Sequence, residues 1–160
     1  MRKLTKKINV EEFVNEYNQA SDKEKFLDKN VFNHKYVGHI EKMLKCQNIV
    51  ESTMYKKLKD TKIFVQNTPL QYVLLMLTLI SEYTEIDNLF EKGRIIENFD
   101  LLESNHLVLD IIYRIPDREF KLWDELLEQM IFDEKENNRS LGSYLDELKL
   151  SIPTFMNMEK

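Results

Sequence analysis

The sequence predicts an all-α fold: a single compact domain of about seven helices packed round one buried helix running from about Pro69 to Thr84. Three observations predict it. Gly and Pro number only three each in 160 residues, too few for the turns a β-sandwich needs. Helix-start signals recur, with Asn9, Ser21 and Thr68 each followed three residues later by Glu or Gln, the spacing of a capping box. One stretch, "NTPLQYVLLMLTLISEYTEID" from Asn67 to Asp87, is apolar almost without a break, as a helix buried on all sides requires. With 42% hydrophobic and 11% aromatic residues, the chain can build one core without disulfide or metal staples.

Taken in order, the first helix is expected from Val10 to Ala20, capped by Asn9 and Glu12, with Ile8 and Phe13 at the two positions of a hydrophobic staple. Ser21 and Glu24 announce a short second helix bearing Phe26 and Leu27. "NVFNHKYVG", residues 30–38, has turn formers at its edges and reads as loop or distorted helix. From His39 to about Leu58, the positions Ile40, Met43, Leu44, Val50, Met54 and Leu58 recur at three- and four-residue spacing and predict one long helix with that stripe buried. "DTKIFVQNT" is too short to found a sheet and reads as an extended connector.

The apolar stretch then begins with Thr68 as cap and Pro69 in the first turn, where a missing amide hydrogen does no harm. Its unbroken part, Leu70 to Ile80, is about half the ~20 residues that span a bilayer, so a core helix and no membrane contact are expected. Leu89, Phe90, Ile95, Ile96 and Phe99 suggest a helix interrupted near Gly93, and Ser104 or Asn105 can cap another through Ile112. After Pro116 a helix is expected to about Lys135, with Phe120, Trp123, Leu127, Met130 and Ile131 inward. A last short helix would carry Leu141, Tyr144, Leu145 and Leu148, ending at Pro153. No internal repeat or low-complexity linker divides residues 1–160, and the basic first eight residues are expected to fray.

Chemistry is sparse. Glu103 and His106 make one E-x-x-H pair, whereas a di-iron bundle needs two such pairs and two further carboxylates; no metal site is expected. His34 and His39 are five residues apart, which does not stack on a helix, and Cys46 has no second cysteine for zinc or a disulfide. His39 is seven residues from Cys46, so a thiol–imidazole pair is conceivable, but a buried structural thiol is the preferred reading. No phosphate-binding glycine loop or nucleophile elbow is present. These features predict a protein that is not an enzyme and takes no cofactor. The single cysteine and an opening "MRKLTKKINVEEF" without an apolar run favour a reducing intracellular compartment.

Charge is unevenly spread. Met1 to Lys62 holds 14 Lys and Arg against 9 Asp and Glu, and the remainder 9 against 19, within a net charge of −5. Two surfaces become candidates for contact with a partner: an acidic face on Asp124, Glu125, Glu128 and Glu136, within a run that also holds Asp133 and Glu134, and a basic cluster of Arg2, Lys3, Lys6 and Lys7. The acidic face could mimic nucleic-acid phosphates and block a host nuclease or defence complex. The basic cluster could touch DNA weakly, with affinity that falls with salt, although nucleic acid is not the expected partner.

The words "ENFDLLESN", "IIYRIPDREF", "LLEQMIFDE" and "NNRSL", in that order, follow "NTPLQYVLLMLTLI" and the opening "KLTKKINVEEFVNEY". Together they resemble a family of small helical proteins encoded by phages and prophages of Gram-positive bacteria, over most of the chain. The resemblance implies a phage origin, a place in virion structure or assembly, and a location in the infected host's cytoplasm or in the virion. It assigns no residue a role. The reading is therefore a non-enzymatic phage protein acting through contacts with another phage protein, a host protein or a second copy of itself; the alternative is the host-directed inhibitor.

Overall fold

The structure, a computed structural model, describes residues 7–59 and 61–158, with side chains described except at 57, 58 and 139–158. Among them are seven helices: α1 (Val10–Gln19), α2 (Lys23–Asn30), α3 (His39–Thr53), α4 (Thr68–Tyr83), α5 (Ile95–Ser104), α6 (Leu107–Ile112) and α7 (Asp117–Met158). Two short strands, β1 (Tyr55–Leu58) and β2 (Thr61–Phe64), form an antiparallel hairpin between α3 and α4. The fold is all-α apart from that hairpin, and no helix among the described residues is long and apolar enough to cross a membrane.

The apolar stretch is α4, and it is buried nearly all round: Leu74 to Ile80 are buried without exception, with Gln71, Glu82 and Tyr83. It packs against α3, α5 and α6, while α3 packs along α7 and α1 against α2 and α5. The start of α1 is tied to the chain that leaves α4. Ile8 bridges Ile86 in parallel, Val10 N–H donates to Asn88 Oδ1 at 2.8 Å, and Arg94 pairs with Glu11 at 2.6 Å. Asn9 caps α1 as expected, its Oδ1 accepting from Glu12 N at 2.8 Å.

Elsewhere the caps shift by a residue. Asp22, not Ser21, caps α2 through Lys25 N, and Asn67, not Thr68, caps α4 through Leu70 N at 3.1 Å. Ser, Asp, Asn and Thr are near-equivalent caps, so where two stand together backbone geometry chooses between them. Gln71 is consequently no capping-box partner; its Oε1 accepts from Gln66 at 3.1 Å inside the core. Neither Ser104 nor Asn105 caps α6. His106 stands there in a left-handed conformation, φ 58, after Asn105 has turned its amide back onto Leu101 O.

Four further expectations are corrected. The helix after His39 stops at Thr53, because Tyr55 pairs with Phe64 and Leu58 with Thr61 around a tight turn in which Lys59 takes φ 52. A two-residue hairpin turn usually shows itself by Asn-Gly or Asp-Gly, and "KD" hides it. The connector is therefore half of a hairpin, and its ladder continues with Val65 N–H to Met54 O and Asn67 N–H to Thr53 O. Leu89 and Phe90 lie in turns before α5, not in a helix, and the chain reverses at Gly93 with φ 79. Finally, α7 is one helix from Asp117 to Met158, interrupted neither after Lys135 nor at Pro153. A proline inside a helix removes one hydrogen bond and bends it but need not end it. The side chains of Leu141, Tyr144, Leu145 and Leu148 lie outside those described.

Candidate functional site

The α3–α7 contact carries charge where the apolar pattern predicts oil. Lys42 on α3 is 3% exposed, and its Nζ donates to Glu119 Oε2 on α7 at 2.7 Å. Tyr83, at the end of α4, donates its hydroxyl to the same Oε2 at 3.1 Å, and the Trp123 indole N–H donates to the Tyr83 oxygen at 3.4 Å. Cys46, one turn beyond Lys42, lies against Trp123 O at 3.9 Å. Since Lys42 meets Glu119 and Cys46 meets Trp123 at the same sequence separation, α3 and α7 run parallel with their N-termini side by side. Tyr55, just past α3, extends the alignment by donating to Glu134.

These groups are held neutral or paired. Burial pushes the Cys46 thiol up to about 11, against the pull of Lys42, and the Tyr83 phenol up to about 12, against the indole hydrogen bond. At neutral pH such a thiol supplies almost no thiolate. Another carboxylate, the buried Glu82 on α4, is clamped between Lys45 of α3 and Lys35 of the preceding loop, which also donates to Glu82 O at 2.7 Å. Removing one member of such a pair would leave a charge buried alone, so both clusters tie the helices to one register.

The consequence is an outward-facing apolar ridge. Lys42, Cys46, Ile49, Val50 and Thr53 form the buried face of α3, and Ile40 and Leu44 stand on the opposite side, 73% and 58% exposed. Met43 flanks them, and Tyr36, just before the helix, is 81% exposed. The expectation that Ile40, Met43 and Leu44 are buried is thus wrong: the helix is rotated so that the Lys42–Glu119 pair, not the larger apolar side chains, faces α7. On the other flank of α3 a half-open groove of about 370 Å³ lies between α3, α4 and α5, with Lys45, Ile49, Leu70, Leu74, Phe90 and Ile95 among its lining.

The structure places the acidic candidates on the side of α7 away from Trp123. Glu125 and Glu128 are exposed, and Asp124 and Glu136 are half-buried. At 100° per residue they fall within an arc of roughly 120°, which they share with Lys121, Lys135 and the exposed Phe132. Glu134 is not part of that arc, because it turns inward to Tyr55. Of the basic cluster, Arg2, Lys3 and Lys6 lie outside the described residues; Lys7 is exposed, beside a shallow cleft that Lys35 and Asp87 also line.

The hairpin adds a basic surface that the sequence reading missed. Lys56, Lys59 and Lys62 are exposed on it, next to Ile63 and Phe64. The signal was the density of lysines in "YKKLKDTK", which becomes a surface only once the two strands pair.

His34 and His39 are exposed and far from forming a ligand set with Cys46, which is fully buried. Glu103 lies in the last turn of α5 while His106 is the N-cap residue of α6, so the E-x-x-H spacing does not lie on one helix. Among the described residues no group of three or more His, Cys, Asp or Glu could hold a metal ion. What fold and surfaces define is a small helical protein with a buried ionic seam and an apolar ridge on its outer side. No family model matches the chain, and no match was found among curated proteins or among solved structures.

Proposed function

We propose that the chain is a non-enzymatic phage protein that works through protein–protein contacts, in virion assembly or as a minor virion component, and that its contact surface is the outer side of α3. One observation carries the choice of surface. Ile40, Met43 and Leu44 stand exposed on one helix although it has a well-filled inner face, and grouped exposed apolar side chains mark interaction sites more than isolated ones do. The phage assignment rests on the sequence resemblance.

The test is copurification of the chain with virions, or with a capsid, neck or tail protein of its phage, beside an Ile40→Lys/Leu44→Lys variant. Association of the wild type, lost in a variant that keeps its melting temperature, is the expected result. Failure of the wild type to associate with any of these overturns the reading. The host-directed inhibitor would instead use Glu125 and Glu128, and Lys121 and Lys135 in the same arc weaken that surface; binding of a host nuclease that Glu125→Lys/Glu128→Lys abolishes would establish it.

A further inference from the structure

A cleft of about 300 Å³ opens where the parallel helices α3 and α7 begin, lined by Tyr36, His39, Lys42, Arg118, Glu119 and Leu122 with Val37 behind. We propose that this cleft binds a small phosphate monoester, its phosphate held by Lys42, Arg118 and His39 and its organic part laid against Tyr36 and Leu122.

The first support is the charge balance. Two of the lining side chains, Lys42 and Arg118, are cationic and one is acidic, and His39 adds an imidazole that can donate a hydrogen bond. The acid, Glu119, is already committed, with Oε2 taking both the Lys42 ammonium and the Tyr83 hydroxyl. Arg118 has no ion pair or hydrogen-bond partner among the described residues, although nearby Glu41 and Asp117 are acidic; Glu41 leans instead toward Lys45 at 3.9 Å. A guanidinium with its whole donor fork free is suited to a phosphate.

The second support comes from the buried ammonium. Lys42 has three N–H donors and is 3% exposed, yet Glu119 is its one hydrogen-bond acceptor among the described residues. Two donors on a buried charge are left for something that enters the cleft. The Trp123 ring, 6.0 Å from Nζ, attracts the charge without satisfying a donor.

The helix ends reinforce both. Gly38 caps α3 with no side-chain hydrogen bond, so the first amides of α3 are open, and the N-terminus of α7 lies beside them. Parallel helices place two partial positive charges together, where an anion is stabilising. A volume several times that of a phosphate group, with an exposed phenol ring on its rim, favours a monoester over the free ion.

The probe is phenyl phosphate, titrated against the protein at constant ionic strength and followed by amide NMR shifts and by melting temperature, with inorganic phosphate, benzoate and sodium chloride as parallel arms. Phenyl phosphate should bind saturably and more tightly than inorganic phosphate, shifting the amides of residues 39–41 and 118–119. Arg118→Gln, an exposed change that leaves the unliganded melting temperature unaltered, should weaken binding on the order of ten-fold, as loss of a charge-assisted contact does. His39→Gln should weaken it less. The proposal is overturned if phenyl phosphate does no more than sodium chloride, if Arg118→Gln binds as the wild type does, or if benzoate binds as tightly as phenyl phosphate. Equal affinity for inorganic phosphate removes the role given to Tyr36 and Leu122 and overturns the monoester.

Discussion

Helices α3 and α4 are neighbours of similar length, and they use apolar residues in opposite ways. In α4 the residues from Leu74 to Ile80 are all buried, Thr78 included, its hydroxyl returned to Leu74 O at 2.6 Å. In α3 a lysine is buried while Ile40 and Leu44 face outward. A helix that is apolar on every side has only one place to be, whatever its rotation. A helix with mixed faces is oriented by its partners, and here Glu119, Tyr83 and Trp123 supply a better site for Lys42 than for an isoleucine. The difference teaches that the apolar side chains of α4 hold the fold together, whereas those on the outer side of α3 stand in solvent and contribute little to it.

The largest effect is expected in α4. Leu77→Asp would place a carboxylate at a fully buried position and should destabilise by about 4 kcal/mol or more, enough to unfold the domain; a cooperative melting transition in that variant would break the contrast. Next comes the ionic seam. Lys42→Met leaves the half-buried Glu119 without its cation and should cost about 1–3 kcal/mol in urea unfolding, while adding Glu119→Leu should recover most of the loss. A double variant as unstable as the single one would show that α3 is not oriented by this pair.

Alkali probes the same inner face more gently. The folded chain holds the Cys46 proton to about 11 against an ordinary value of 9, so the unfolded chain releases it first. Stability present below pH 9 should therefore fall as pH rises toward 11, by up to about 1.4 kcal/mol per pH unit. Tyr83, raised from 10 to about 12 by burial, extends the fall. Cys46→Ala should flatten the slope between pH 9 and 11 in urea titrations at stepped pH, and an unchanged slope would place the thiol in a wetter site. Smallest of all should be Ile40→Ser and Leu44→Ser, each within about 0.5 kcal/mol of wild type by thermal melting. A loss like that of Leu77→Asp would mean that the outer side of α3 is core after all.

Much of the fold was legible in local pattern. Asn9 with Glu12, Pro69 after a polar cap, the break at Pro116 and the inward Trp123 and Leu127 all report on contacts within one or two turns, so the sequence carries them directly. The hairpin was not legible, because "KDTKIF" lacks a glycine turn and Lys59 adopts a left-handed conformation that strand pairing imposes. The candidate surfaces were legible in part. The acidic residues of α7 could be assigned to its outer side from spacing alone, but the ridge on α3 and the cleft at its start could not.

By itself, then, the sequence determined the helical class, the central place of α4 and the inner face of the first half of α7, since each follows from hydrophobic spacing and caps within a single segment. Tertiary structure alone decided the rotation of α3, the parallel pairing of its start with that of α7, and the meeting of Lys42, Arg118 and His39 at one cleft. The physical reason is that a lysine in a helix takes the solvent side by default and turns inward only where a distant partner pairs its buried charge. For Lys42 that partner lies 77 residues away along the chain.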